Sequence, residues 1–193
     1  MHPVLQKFLS QFPELSPSEV EIISEHIPIV DKKKGDMILR EGEVPDKCYY
    51  VLEGCVRQYC LEDGEEKTTG FYTEQYGTIS STNYIQQTPS DQYLVCMEDC
   101  TLICGDPKTD MENYEKFPIL KSVTAKMVEQ ELNDTKDRFA KFIIASPEKR
   151  YLNFLEERPD LSNRVPQHQI ASFLGMTAES LSRIRRRIQM KKA

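Results

Sequence analysis

No run in this 193-residue chain approaches the roughly 18 consecutive apolar residues that a membrane span requires, so no membrane partner is expected. The opening residues MHPVLQKFLSQFPELS carry polar side chains every few positions and lack the apolar core of a secretory leader. A cytoplasmic protein is the expectation. Six cysteines stand at positions 48, 55, 60, 96, 100 and 104, and no two form a CxxC pair. In a reducing compartment that argues against a disulfide framework and against a zinc site. Cys96, Cys100 and Cys104 are spaced by four in a segment rich in strand formers, which places them on one strand face and in the core. No GxxxxGK phosphate loop, no metal-ligand spacing and no nucleophile paired with a base can be found, so nothing supports an enzyme. Internal repeats, low-complexity tracts and long disordered linkers are missing too.

Charge is abundant but segregated. The chain carries a net −6, yet residues 146–193 hold ten Lys or Arg against five Asp or Glu, a net +5 that leaves −11 on residues 1–145. A basic end on an acidic body suits phosphate contact by one module while the other repels nucleic acid.

Along the chain, Ser16, Pro17 and Glu19 form a capping-box arrangement that predicts a short helix over 16–27. From 27 to about 104 the period becomes that of strands, and glycines at 35, 42, 54, 64, 70 and 77 punctuate short runs of Tyr, Val, Ile and Thr. Tight turns between short strands point to an antiparallel barrel or roll. A short helix is expected over 106–117, and Pro118 starts a long one. There Ala125, Val128, Leu132, Thr135, Phe139 and Phe142 alternate steps of three and four with charges beside them, the pattern of a coiled-coil seam between two copies. A helix laid against its own barrel would carry a similar stripe. Ser146 and Pro147 cap a further helix, whose Tyr151, Leu152, Leu155 and Phe154 are candidates to pack on the C-terminal segment.

That segment contains VPQHQIASFLGMTAESLSRIRRR, residues 165–187. A helix-turn-helix needs a small residue where its helices touch, a permissive one at the turn and an apolar one where the second helix packs back. Ala171, Gly175 and Leu181 meet those demands, with Ile170, Leu174, Met176 and Ile184 around them. Gly175 can end the first helix in the left-handed conformation, and Thr177 can cap the second. With that second helix at 178–189, about 100° per residue puts Leu181, Ile184 and Ile188 on one face and Glu179, Ser182, Arg183 and Arg186 on the other. Arginine can pair bidentately with guanine and a carboxylate can accept from cytosine, so this face suits a major groove. A solvated arginine-rich surface helix is the plainer explanation of RIRRR alone, and the Ala, Gly and Leu pattern before it favours DNA.

A glycine-punctuated roll, a long striped helix and a terminal helix-turn-helix, in that order, resemble the CRP/FNR family of bacterial transcription regulators over nearly the whole chain. The stretch KGDMILREGEVPDKCYYVLEGCVRQY carries the likeness in the roll, and LGMTAESLSR is very similar to the recognition segment of the FNR branch. The resemblance implies an α+β fold: a cyclic-nucleotide-binding-like antiparallel β-roll over 1–117, a dimerisation helix over 118–145 and a helix-turn-helix domain over 146–193. Because only RPDLSNR fills the interval that holds a β-hairpin wing and a polymerase-contact loop in CRP, the wing should be reduced. By the same resemblance Glu179 and Arg183 read bases, Ser180 touches base or phosphate, and a homodimer occupies a palindromic double-stranded operator, with RNA polymerase as a further partner. Ala178 stands where many members place an arginine, which departs from the half-site of CRP.

The effector segment departs further. Cyclic-nucleotide binders of the family use a glutamate after a glycine for the ribose and an Arg-Ser pair for the phosphate. Here Gly77 is followed by Thr78, Asp91 and Gln92 stand where Arg-Ser is expected, and no Lys or Arg lies between Lys67 and Lys108. A carboxylate at the phosphate position repels an anion by about 1 kcal/mol when solvent screens it. Neither cAMP nor cGMP is therefore expected. The absence of cysteine before Cys48 argues against an FNR-type iron–sulfur cluster, and His2, His26 and His168 do not mark a haem site, so no cofactor is expected. These features support two readings: a DNA-binding regulator with a degenerate pocket, or one whose roll binds an unidentified small molecule, or senses redox state, and gates DNA binding.

Overall fold

A computed structural model describes residues 2–74, 76–79 and 82–192. The chain divides into two compact units. One combines the residues up to Gln58 with Phe71–Asn133; the other combines Tyr59–Gly70 with the residues from Asp134 onward.

Two helices open the first unit, α1 (Pro3–Leu9) and α2 (Pro17–Ser24). The capping box at α2 is present: Glu19 N–H donates to the Ser16 hydroxyl at 3.3 Å, and Ser16 N–H donates to the Glu19 carboxylate at 2.8 Å. Helix α1 was not expected from the sequence, although Leu5 and Leu9, four apart, are its two buried residues. Among the described residues eight strands come next: β1 (Ile29–Lys32), β2 (Met37–Leu39), β3 (Cys48–Glu53), β4 (Val56–Glu62), β5 (Glu65–Tyr72), β6 (Thr78–Ile79), β7 (Tyr93–Cys96) and β8 (Cys100–Gly105). They form two four-stranded sheets, ordered β1-β8-β3-β6 and β2-β7-β4-β5. Residues alternate in and out along each strand, so Val51 and Leu102 of one sheet share a core with Leu39, Val56 and Leu94 of the other. Burying each such side chain contributes about 1.5–3 kcal/mol. This is the expected antiparallel roll, with one addition: a short helix α3 (Thr82–Gln86) lies inside the segment read from sequence as the effector region.

Cys96, Cys100 and Cys104 are all buried, as expected of core residues. The single strand face foreseen for them is corrected. Cys96 closes β7 and Cys100 opens β8, and those strands lie in different sheets; Cys100 and Cys104 alone share a face. Spacing by four cannot reveal a turn between the first two.

Helix α4 (Pro107–Lys116) is capped by Asp106, whose carboxylate accepts from the N–H groups of Lys108 and Thr109. Helix α5 (Pro118–Ile144) then runs for 27 residues, about 40 Å. Leu120 and Val123 in its first turns are buried. Beyond them the apolar stripe faces out: Val128 is 52% exposed, Leu132 51% and Phe139 64%, with Ala125 and Thr135 exposed beside them. Among the described residues no helix is long and apolar enough to cross a membrane.

The second unit holds α6 (Pro147–Glu157), α7 (Gln167–Phe173) and α8 (Ala178–Lys192). Ser146 caps α6 by accepting from Lys149 N–H. Tyr151 and Phe154 are buried there, and Leu155 is half-buried, whereas Leu152 is exposed and does not pack inward as anticipated. Residues 151 and 154 lie three apart on one helical face, and 152 is turned about 100° from it. The interval 158–164 is a 3-10 turn over Pro159–Asn163 that buries Leu161, with no strand among its described residues.

Candidate nucleic-acid interface

The junction of α7 and α8 is built as the local sequence requires. Gly175 sits at φ +65, Gly175 N–H donates to Ser172 O at 3.0 Å, and Met176 N–H donates to Ala171 O at 3.0 Å. This pair of bonds satisfies carbonyls that the end of α7 would leave open. Thr177 begins the next helix, its hydroxyl accepting from Ser180 N–H at 3.2 Å. Ile170, Ala171, Leu174, Leu181 and Ile184 are all buried where the two helices meet.

Gly175→Ala tests this turn. A side chain at that φ costs about 1–2 kcal/mol. Space is not the obstacle, since an added Cβ would meet Arg150 Nη1 at 3.4 Å and Phe142 Cζ at 3.5 Å, ordinary contact distances. Urea denaturation should show a lower midpoint with an unchanged slope. A midpoint equal to that of the parent protein would remove the left-handed turn as the element that holds α7 and α8 at their angle.

With Leu181 and Ile184 turned inward, Glu179, Ser182, Arg183 and Arg186 are exposed together on the opposite side of α8. Ser180, half-buried, lies at the edge, where Arg183 Nη2 donates to its hydroxyl at 3.4 Å and Thr177 is its other neighbour at 3.1 Å. The Glu179 carboxyl is held below its usual range, first by its own backbone N–H, then by the Thr177 hydroxyl and the Arg183 charge. It is therefore ionised at neutral pH and is an acceptor only. Arg187, part of the same arginine run, turns away and pairs with Glu148 of α6 at 2.9 Å.

Side chains that sequence reasoning passed over also brace this unit. Ser172 of α7 accepts from Thr68 N–H at 2.9 Å and approaches Glu66 O at 3.5 Å, tying α7 to the tip of the β4–β5 hairpin. The partners are about a hundred positions apart, and no periodicity could have joined them. Arg158 is buried and paired with Asp160.

In the first unit, the four residues read as a degenerate effector pocket are not gathered into one place. Gln92 lines a cavity of about 430 Å³ inside the roll, together with Ile38, Tyr49, Tyr72, Ile79 and Ser90. Asp91 is exposed and is not part of that lining. Thr78 lines a second, more apolar cavity of about 260 Å³ beside Phe8, Tyr50, Tyr84 and Val123. Gly77 is buried under β3: an added Cβ would stand 2.8 Å from Val51 O and 2.9 Å from the Tyr50 ring, so close packing alone requires glycine there. Lys47 is the one cation among the described residues lining the roll cavity, set against Glu43 and Asp46. Tyr72 donates to Gln58 Oε1 at 2.5 Å across the wall, and burial pushes its hydroxyl up to about 12.

Known proteins are similar to this chain over most of its length. Residues 29–111 match the family model described as the cyclic nucleotide-binding domain. Over 186 residues the chain is 26% identical to the transcriptional activator protein Anr of Pseudomonas protegens, covering 88% of this chain and 72% of that protein. It is 23% identical over 181 residues to the fumarate and nitrate reduction regulatory protein of Escherichia coli, covering 83% of this chain and 70% of that protein. Among solved structures, FixK2 from Bradyrhizobium japonicum is similar with a TM-score of 0.68 at 18% identity over 86% of each chain, a likeness of fold.

Proposed function

We propose that this chain is a DNA-binding transcription regulator of the CRP/FNR type and not an enzyme, a reading supported by its likeness to the regulators above, and that it acts as a cytoplasmic homodimer on a palindromic operator. The observation that carries this reading is the two-faced helix α8. Leu181 and Ile184 are locked inward, and Glu179, Ser182, Arg183 and Arg186 are exposed at offsets of three and four. Such a face enters a major groove with Glu179 and Arg183 on base edges, and with Thr177, Ser180, Ser182 and Arg186 on bases or phosphates. The exposed Val128, Leu132 and Phe139 of α5, with Thr135 between them, supply the two-fold seam; Phe142, the last position of the stripe, is half-buried beneath Arg150 of its own chain and lies outside that exposed face. RNA polymerase is a further partner of such a dimer. In vitro selection of duplexes tests the reading. It should enrich a palindrome whose half-sites lie about one helical turn apart, and enrichment of no sequence at all would refute it.

A second reading concerns what instructs the dimer. The roll cavity is large enough for a small ligand, and its described lining holds a single cation against two carboxylates. That balance suits an uncharged polar-aromatic ligand better than a cyclic phosphate, with Gln92, Gln58 and Tyr72 as hydrogen-bond partners. Calorimetry with cAMP and cGMP is expected to show no binding at micromolar concentrations; a micromolar dissociation constant for either would overturn the exclusion.

A further inference from the structure

Arg150 of α6 is half-buried, and no carboxylate among the described residues pairs with it. Its donors go elsewhere. Nε donates to Phe142 O at 3.1 Å, and Nη1 donates to Leu174 O at 3.4 Å. Each acceptor is special. Phe142 O is one of the last carbonyls of α5, and Leu174 is the C-cap of α7. Carbonyls at a helix C-terminus have no partner within the helix and lie at the negative end of its dipole. One guanidinium therefore caps two helices at once. The same group lies over the Phe142 ring, 4.0 Å from its centroid, a cation–π contact. The turn of the helix-turn-helix borders both groups: a Cβ added at Gly175 would lie 3.4 Å from Nη1 and 3.5 Å from Phe142 Cζ.

We propose that Arg150 is a positioning residue for DNA recognition: by pinning the end of the dimer helix to the turn that precedes the recognition helix, it sets the distance and angle between the two half-sites that a dimer can read. The inference rests on the dimeric, base-reading function proposed above and goes beyond it, since Arg150 is remote from the base-reading face. Arginine is needed because two acceptors and a ring must be met by one rigid planar fork. Lysine offers a single mobile ammonium and cannot do all three. Without the pin, the end of α5 and the α7–α8 turn are joined only by the Phe142 ring beside Gly175 and through the chain of α6, and the recognition helix turns more freely relative to the seam.

The test uses the full-length protein, its Arg150→Gln and Arg150→Lys variants, the selected palindrome, the same palindrome with one base pair added to or removed from the spacer, and a single half-site. One base pair rotates a half-site by about a tenth of a turn. By fluorescence anisotropy at fixed salt the parent protein should prefer its own spacing about tenfold, a discrimination typical of coupled sites. Arg150→Gln should bring that preference close to unity with half-site affinity unchanged, and Arg150→Lys should fall between. A uniform loss on every duplex with spacing preference intact would mean a merely structural role and would overturn the proposal. So would no change on any duplex.

Amide hydrogen exchange gives a readout that needs no DNA. The Gly175 and Met176 amides, bonded to Ser172 O and Ala171 O, should lose about tenfold protection in Arg150→Gln, as expected for a local opening, and β3 and β8 should keep theirs. Unchanged protection at the turn overturns the pin even if the parent protein selects no duplex; the latter outcome alone counts against the base-reading function.

Discussion

Replacing Leu132 by Asp should leave the protein folded and monomeric. Leu132 is already 51% exposed, so the substitution removes little from the core of the single chain. In a two-fold seam of α5 helices the new carboxylate faces its own copy. Two like charges would be drawn from water without partners, at a cost of several kcal/mol. Each 1.4 kcal/mol is a factor of ten, so the dimer dissociation constant should rise about a hundredfold or more. DNA should report the same event. Linked half-site readers gain about 10²–10⁴ in affinity from their tether, and that gain disappears on the palindrome while a single half-site is bound as before. Analytical ultracentrifugation and circular dichroism check both sides of the expectation. A parent protein that sediments as a monomer at micromolar concentration, or an L132D variant that remains dimeric, would remove α5 as the seam.

Arg183→Ala is the second large effect, and it acts on sequence reading. Loss of a bidentate arginine–guanine contact costs about 1–3 kcal/mol of specific binding and relaxes the preference at one position. The Arg183 side chain is exposed, and its neighbours Ser180 and Glu179 touch it lightly, so stability should hardly change. Comparison of the selected duplex with a scrambled one separates the roles. A loss confined to the selected duplex assigns Arg183 to a base. Equal losses on both, with a salt slope reduced by about one, assign it to a phosphate.

Much of this molecule was legible in the chain because its signals are local. Ser16 with Glu19 and Ser146 before Pro147 each complete a helix start within four residues, and both form as read; the short helix expected over 106–117 also forms, with Asp106 as its cap. Ala171, Gly175, Thr177 and Leu181 likewise complete their turn within about ten residues. Helix α1 escaped notice because its two inward residues, Leu5 and Leu9, are too few to make a period stand out. The two cavities were out of reach for another reason. The walls of the roll cavity come from β2, β3, β4, β5, β6 and β7, and a linear segment such as 77–92 splits between that cavity and another.

The order of elements, the caps, the turn at Gly175 and the opposed faces of α8 are properties of the sequence by itself, since hydrogen bonds and side-chain directions within a few residues depend on backbone geometry alone. Tertiary structure decided the rest. It left the stripe on α5 facing outward, placed Thr78 and Gln92 in separate cavities, and brought Arg150 onto Phe142 and Leu174. These outcomes depend on which surfaces meet after the chain has folded back on itself, and pairings between distant residues leave no period in the sequence to be read.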